Sequence, residues 1–124
     1  MPKHDINIQA QIQYLHNHSN PSERRFVYTY TITISNRGEA AAQLISRYWK
    51  IRDANNRIRE VEGAGVVGEQ PRIVPGAAYT YTSSAILETE TGTMEGHYVM
   101  QSDDGESFKA IIPTFALVPA HAIH

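Results

Sequence analysis

Arg25-Phe26-Val27-Tyr28-Thr29-Tyr30-Thr31-Ile32-Thr33-Ile34-Ser35 decides the fold class. Phe26, Tyr28, Tyr30, Ile32 and Ile34 fall on one face, and Val27, Thr29, Thr31 and Thr33 on the other. A repeat of two with nearly every residue β-branched or aromatic is the pattern of a strand. The same alternation runs upstream, where Ile6, Ile8, Ala10, Ile12 and Tyr14 interleave with Asn7, Gln9, Gln11 and Gln13. Leu15 to Glu23 between them reads as a polar loop, with Pro21 opposing a helix.

Downstream, Asn36-Arg37-Gly38 supplies a turn whose glycine tolerates positive φ. Ala42 to Arg52 reads as a third strand, with Ile45, Trp49 and Ile51 on one side. Asp53-Ala54-Asn55-Asn56 turns the chain into a charged, exposed strand, Arg57 to Glu62. Gly63 to Gln70 is a glycine-rich loop, and Pro75-Gly76 a tight turn. Ala78 to Ser84 alternates again, and Ala85 to Thr93 reads as connection. Met94, Gly96, Tyr98 and Met100 share a face on the next strand. Ser102-Asp103-Asp104-Gly105 marks a hairpin, and Phe108 to Val118 closes the fold with Pro113 at a break or an edge.

Many short strands without helical periodicity indicate two packed sheets or a barrel. The pattern favours an all-β, antiparallel β-sandwich of the immunoglobulin-like kind. Such domains bury a Trp on the third strand, where Trp49 stands, and carry a Tyr two residues before the second Cys. Tyr98-Val99-Met100 has that spacing with Met in the Cys position, so Ile32, Met100 and Trp49 are expected to pack where a disulfide would lie.

The chain has 124 residues, a formal charge of -2 and no Cys. That length suits one domain, residues 1–124, with an ordered core over about 5–118. Without Cys there is no disulfide, thiol nucleophile, zinc–thiolate site or iron–sulfur cluster. Basic and acidic residues are interspersed, so no phosphate-tracking stripe marks a nucleic-acid partner. No apolar run suits a membrane helix, and Met1-Pro2-Lys3-His4-Asp5 lacks a signal peptide's apolar segment. The expectation is a soluble cytoplasmic protein.

Gly63-Ala64-Gly65-Val66-Val67-Gly68 matches G-x-G-x-x-G. A dinucleotide fold needs a helix to begin there, and Pro71 and Pro75-Gly76 leave no room for one. An anion nest of loop amides needs no helix. Arg57, Arg59 and Arg72 would assist it, while Glu60, Glu62 and Glu69 oppose it. A bent connection that uses glycine for its backbone angles outweighs phosphate binding. Arg47 shares strand parity with Trp49. It either joins a recognition surface beside the loop, or is structural, bonding backbone carbonyls or stacking on Trp49 or a tyrosine, unless a bulge reverses its facing.

The tyrosines read as core and cross-strand pairs. His4, His16, His18, His121 and His124 fall in loops or termini, and His97 faces solvent on a strand. Surface histidines outweigh a metal site, which needs three or four convergent ligands. Ser83-Ser84 lacks nucleophile-elbow glycines, and Glu88, Glu90, Asp103 and Asp104 sit in turns.

Several segments together resemble the ApaG family. They are Leu44-Ile45-Ser46-Arg47-Tyr48-Trp49, Asp53-Ala54-Asn55, Gly63 through Pro71 with Pro75-Gly76, Tyr81-Thr82-Ser83, Gly92 through Met100, and Ile112-Pro113-Thr114-Phe115. They occur in the family's order and cover nearly the whole chain. The resemblance implies a fibronectin- or immunoglobulin-like sandwich and no established catalytic activity. It also implies association with cobalt resistance and magnesium efflux, genes beside a diadenosine tetraphosphate hydrolase, and protein–protein contact in eukaryotic proteins that carry the domain. Tyr48 stands where many relatives have His, which weakens a metal argument there.

The resulting expectation is a non-catalytic interaction module. It binds a protein partner through Gly63, Gly65, Gly68, Glu69, Gln70, Arg47 and Arg72, with no metal and no cofactor. A free sheet edge offers strand addition or homodimer pairing. The alternative is a small-molecule anion or nucleotide binder at the glycine loop, and a third reading is a cation sensor using His16 and His18.

Overall fold

The quoted strand forms as read. In a computed structural model of the protein, which describes residues 2–120, Phe26 and Val27 are both buried, and from Tyr28 through Asn36 buried and half-buried positions alternate. His121 and His124 lie outside the described residues. In chain order the strands are β1 (Ile6–Tyr14), β2 (Phe26–Asn36), β3 (Ala42–Asp53), β4 (Ile58–Ala64), β5 (Arg72–Ile73), β6 (Ala78–Leu87), β7 (Gly92–Ser102) and β8 (Ser107–Leu117). One sheet has the order β1-β2-β6. The other has the order β4-β3-β7-β8, with β5 also pairing to β3, and every pairing is antiparallel. The fold is the expected two-sheet sandwich.

The core lies between the sheets. Tyr28, Ile32 and Ile34 from one layer meet Leu44, Trp49, Tyr98, Met100, Ile112 and Leu117 from the other. Trp49 is packed edge-on by Tyr30, Phe115 and Tyr98, with ring centroids at 5.3, 5.9 and 6.4 Å. Burying each large side chain stabilises the fold by about 2 kcal/mol. Ile32, Met100 and Trp49 share this cluster, where apolar packing takes the place of a cross-link. The Tyr98 hydroxyl meets the Tyr81 hydroxyl of the facing sheet instead of reaching back to backbone. Burial pushes both phenols up, most strongly Tyr98.

Five local expectations change. The segment after β1 contains two short 3-10 turns, His16–His18 and Pro21–Glu23, with Pro21 at the favourable first position. Strand β6 continues to Leu87 because Ala85 and Leu87 are buried. Gly63 and Ala64 are the end of β4, not loop. Gly38 does not adopt positive φ. It is needed because a Cβ would stand 2.5 Å from the Lys3 carbonyl oxygen, where the N-terminal segment crosses.

The fifth change concerns β3. Its register shifts between Leu44 and Ser46, a β-bulge. Ala42 and Leu44 are buried before it, Trp49 and Ile51 after it, so Ile45 does not share the core side with Trp49. An extra residue in one strand of a pair inverts the alternation beyond it.

Buried Asn36 ties the layers near the start of β3. Its amide donates to the Ala40 and Ile73 carbonyls, both at 2.9 Å, and its side-chain oxygen accepts from the Gly38 N–H at 3.0 Å.

Candidate functional site

The bulge creates the anchor for the glycine loop. The Ile45 carbonyl accepts the Gly65 N–H at 2.9 Å and the Gln70 side-chain amide at 2.9 Å. The Pro71 carbonyl in turn accepts the Leu44 N–H at 2.9 Å. One irregularity in β3 thus holds both ends of the loop.

Arg47 stands in register between Gly63 on β4 and Tyr98 on β7. Tyr98 points into the core, so Arg47 projects on the same side. Gly63 has no side chain, and the guanidinium occupies that space: a Cβ there would be 2.9 Å from both terminal nitrogens. Nη1 donates to the Ala64 carbonyl at 3.0 Å and the Gly65 carbonyl at 2.9 Å. Of the sequence alternatives for Arg47, the observed contacts are the carbonyl bonds.

Gly65 has φ +61°, and a Cβ on it would lie 2.2 Å from the Glu69 carbonyl oxygen. The chain then turns inward, and Val66 is fully buried. Val66 and Glu69 exchange backbone hydrogen bonds of 2.8 and 2.9 Å around Val67-Gly68. Val67 and Gly68 have φ of +43° and +83°. Positive φ at both central residues makes this a type I′ turn. Valine at the first of them is unusual, since a β-branched side chain is strained there. It is also 57 % exposed.

Glu69 accepts the Tyr79 hydroxyl at 2.8 Å, and this bond raises the Tyr79 phenol. Gln70 also offers its carbonyl to the Gln43 amide at 3.0 Å. Arg47, Gly63, Gly65, Gly68, Glu69 and Gln70 therefore belong to one knot. Arg72 is drawn away from it into a two-pronged bond with Asp103 on the β7–β8 hairpin. Ile45, Val66, Val67 and Tyr79 complete the knot and went unread in the sequence. A bulge has no local signature, and Val-Gly lacks the Asn or Asp that usually marks a type I′ turn.

No helix begins at Gly65 or Gly68. The N–H groups of Gly65, Val66 and Glu69 already donate to carbonyls of the chain, leaving an anion few of the loop's donors. On the outer face beyond the knot, Tyr48 and His97 stack at 5.1 Å, and the Tyr48 hydroxyl donates to Glu60. His16 and His18 are exposed in the first 3-10 turn. No group of three or more metal-capable side chains occurs among the described residues.

A family model for the ApaG domain matches residues 16–102. Protein ApaG of Pseudomonas paraeruginosa is 50 % identical over 98 % of this chain and 97 % of its own length. Protein ApaG of Erwinia tasmaniensis is 52 % identical over 94 % of each chain. Among solved structures, an ApaA protein of Bordetella pertussis superposes with a TM-score of 0.93 at 39 % identity, covering 96 % of this chain and 97 % of that one.

Proposed function

This chain belongs to the ApaG family, and on that footing we propose that it is a non-catalytic module that recognises a protein partner with its glycine loop. The observation that carries this reading is Val67. The loop is pinned from below by the Ile45 carbonyl, by Arg47 and by buried Val66. At its tip stands an apolar, β-branched residue in the left-handed region, open to solvent. Asn or Gly in that position would favour folding, so the isopropyl group contributes to something outside the fold. A rigid loop that presents an apolar tip loses little entropy on docking.

Arg47, Gly63 and Gly65 act here as positioning residues, and Val67, Gly68 and Glu69 form the contact surface. The association with cobalt resistance and magnesium efflux then acts through the partner's activity. The test is affinity capture with the intact protein, Val67→Asn and Gly65→Asp. Val67→Asn keeps the turn and removes the tip, whereas Gly65→Asp breaks the loop. A stoichiometric partner is expected with the intact protein and lost with both variants. Equal recovery of every specific partner by Val67→Asn overturns the assignment.

A further inference from the structure

The free edge of β6 carries a second surface, independent of the loop. Among the described residues, strand β6 pairs with β2 and with no other strand. The Ala77 carbonyl accepts from Asn36 at the end of β2, so odd-numbered residues of β6 turn their backbone groups toward β2. Even-numbered residues turn theirs outward, as the Ile86 carbonyl confirms by taking a long 3.4 Å bond from Arg59. Ala78, Thr80, Thr82 and Ser84 thus present an N–H and a C=O apiece along an open edge, Ile86 presents its N–H and a carbonyl shared with the long Arg59 bond, and all five are exposed.

The other edges are guarded. Arg59, Glu60 and Glu62 charge β4, Lys109 and Pro113 interrupt β8, and β1 packs against β8. Charge, proline and cover are the usual defences of sheet edges. Ala78–Leu87 has no charged residue and no proline.

We propose that this edge pairs with the same edge of a second copy, antiparallel, about a two-fold axis at Thr82. In that register Thr82 meets Thr82, Thr80 meets Ser84 and Ala78 meets Ile86 of the other copy. All five outward residues then fall in hydrogen-bonded pairs, and two bonds per pair give about ten, the number a standard-sized interface carries. The side chains match as well. Gln11, Thr31 and Thr82 form one cross-strand rank, with Thr31 and Thr82 hydroxyls 2.8 Å apart. The axis continues that rank across six strands as a neutral ladder, with no like charges opposed. A two-fold, self-complementary contact is the commonest route to a dimer.

Sedimentation equilibrium on the intact protein tests this. A dimer is expected. Thr82→Pro removes one outward N–H per copy while leaving the bonds to β2, and is expected to yield a monomer with an unchanged far-ultraviolet spectrum. Thr82→Lys and Thr82→Glu are each expected to weaken pairing roughly tenfold, and an equimolar mixture to restore it. Val67→Asn is expected to leave pairing intact, which separates this surface from the loop. A wild type monomeric at about 1 mM overturns the proposal. So does a dimer indifferent to Thr82→Pro, or an edge that pairs only with a foreign peptide.

Discussion

Arg47 and Gly63 should behave as one structural unit, and a double-mutant cycle measures this. Arg47→Met keeps much of the stem but loses two bonds to the Ala64 and Gly65 carbonyls, of 3.0 and 2.9 Å. Charge-assisted bonds each contribute about 1.5–3 kcal/mol when buried, and partial exposure here reduces the pair to about 2 kcal/mol. Gly63→Ala places a Cβ 2.9 Å from the guanidinium nitrogens, tighter than an ordinary contact. The flexible guanidinium must withdraw by about 0.5 Å, which costs on the order of 1 kcal/mol in weakened hydrogen bonding. With Met at position 47 that obstacle is gone. Alanine should then be neutral or stabilise by about 0.5 kcal/mol, because glycine weakens a strand. The coupling is therefore about 1 kcal/mol or more. Urea unfolding of the four proteins, with slopes of about 1–3 kcal/mol/M, resolves it as a midpoint difference of at least several tenths molar. Equal destabilisation by Gly63→Ala in both backgrounds would refute the claim that the guanidinium fills the glycine's space.

Gly96→Ala should abolish folding or cost more than about 3 kcal/mol by thermal unfolding, because the added Cβ would lie 1.9 Å from the Tyr48 carbonyl oxygen in the centre of the sheet. Val67→Asn should raise stability by about 1 kcal/mol, read as a higher melting temperature; no gain would mean that the turn is not strained. Asn36→Leu should cost about 3 kcal/mol in chemical unfolding by stranding the Ala40 and Ile73 carbonyls and the Gly38 N–H. In acid, three carboxylates matter. Lys3, the Ser102 hydroxyl and the Glu106 amide hold Asp104 well below its ordinary 3.8, His4 and Lys3 hold Glu106 below 4.5, and Arg72 holds Asp103 below 3.8. Depressed values in the folded state contribute stability that is present above pH 4–5 and lost as pH falls. Melting temperature should decline below about pH 4.5, and Asp104→Asn should flatten that decline.

The all-β class was legible because the period of two in Phe26–Ile34 and Ile6–Tyr14 has one physical source, alternation of side chains across a pleat. Trp49 and Tyr98 were placed by their strand positions. The glycine loop was visible as composition, but its shape was not. Whether Gly63, Gly65 and Gly38 serve positive φ or close approach depends on Arg47, Glu69 and Lys3, residues that only folding brings beside them. The parity of Ile45 was read wrongly for the same kind of reason: a bulge is set by what its freed carbonyl finds, here Gly65 and Gln70.

Strand identity, the missing cross-link chemistry and family membership therefore reside in the order of residues, since each depends on neighbours a few positions apart or on the residues present. The inward turn of Arg47, the divergence of Arg72 toward Asp103 and the unguarded outward groups of β6 were decided by tertiary structure. Each depends on groups far apart in the chain, and hydrogen-bond partners at that separation exist only once the two sheets have closed.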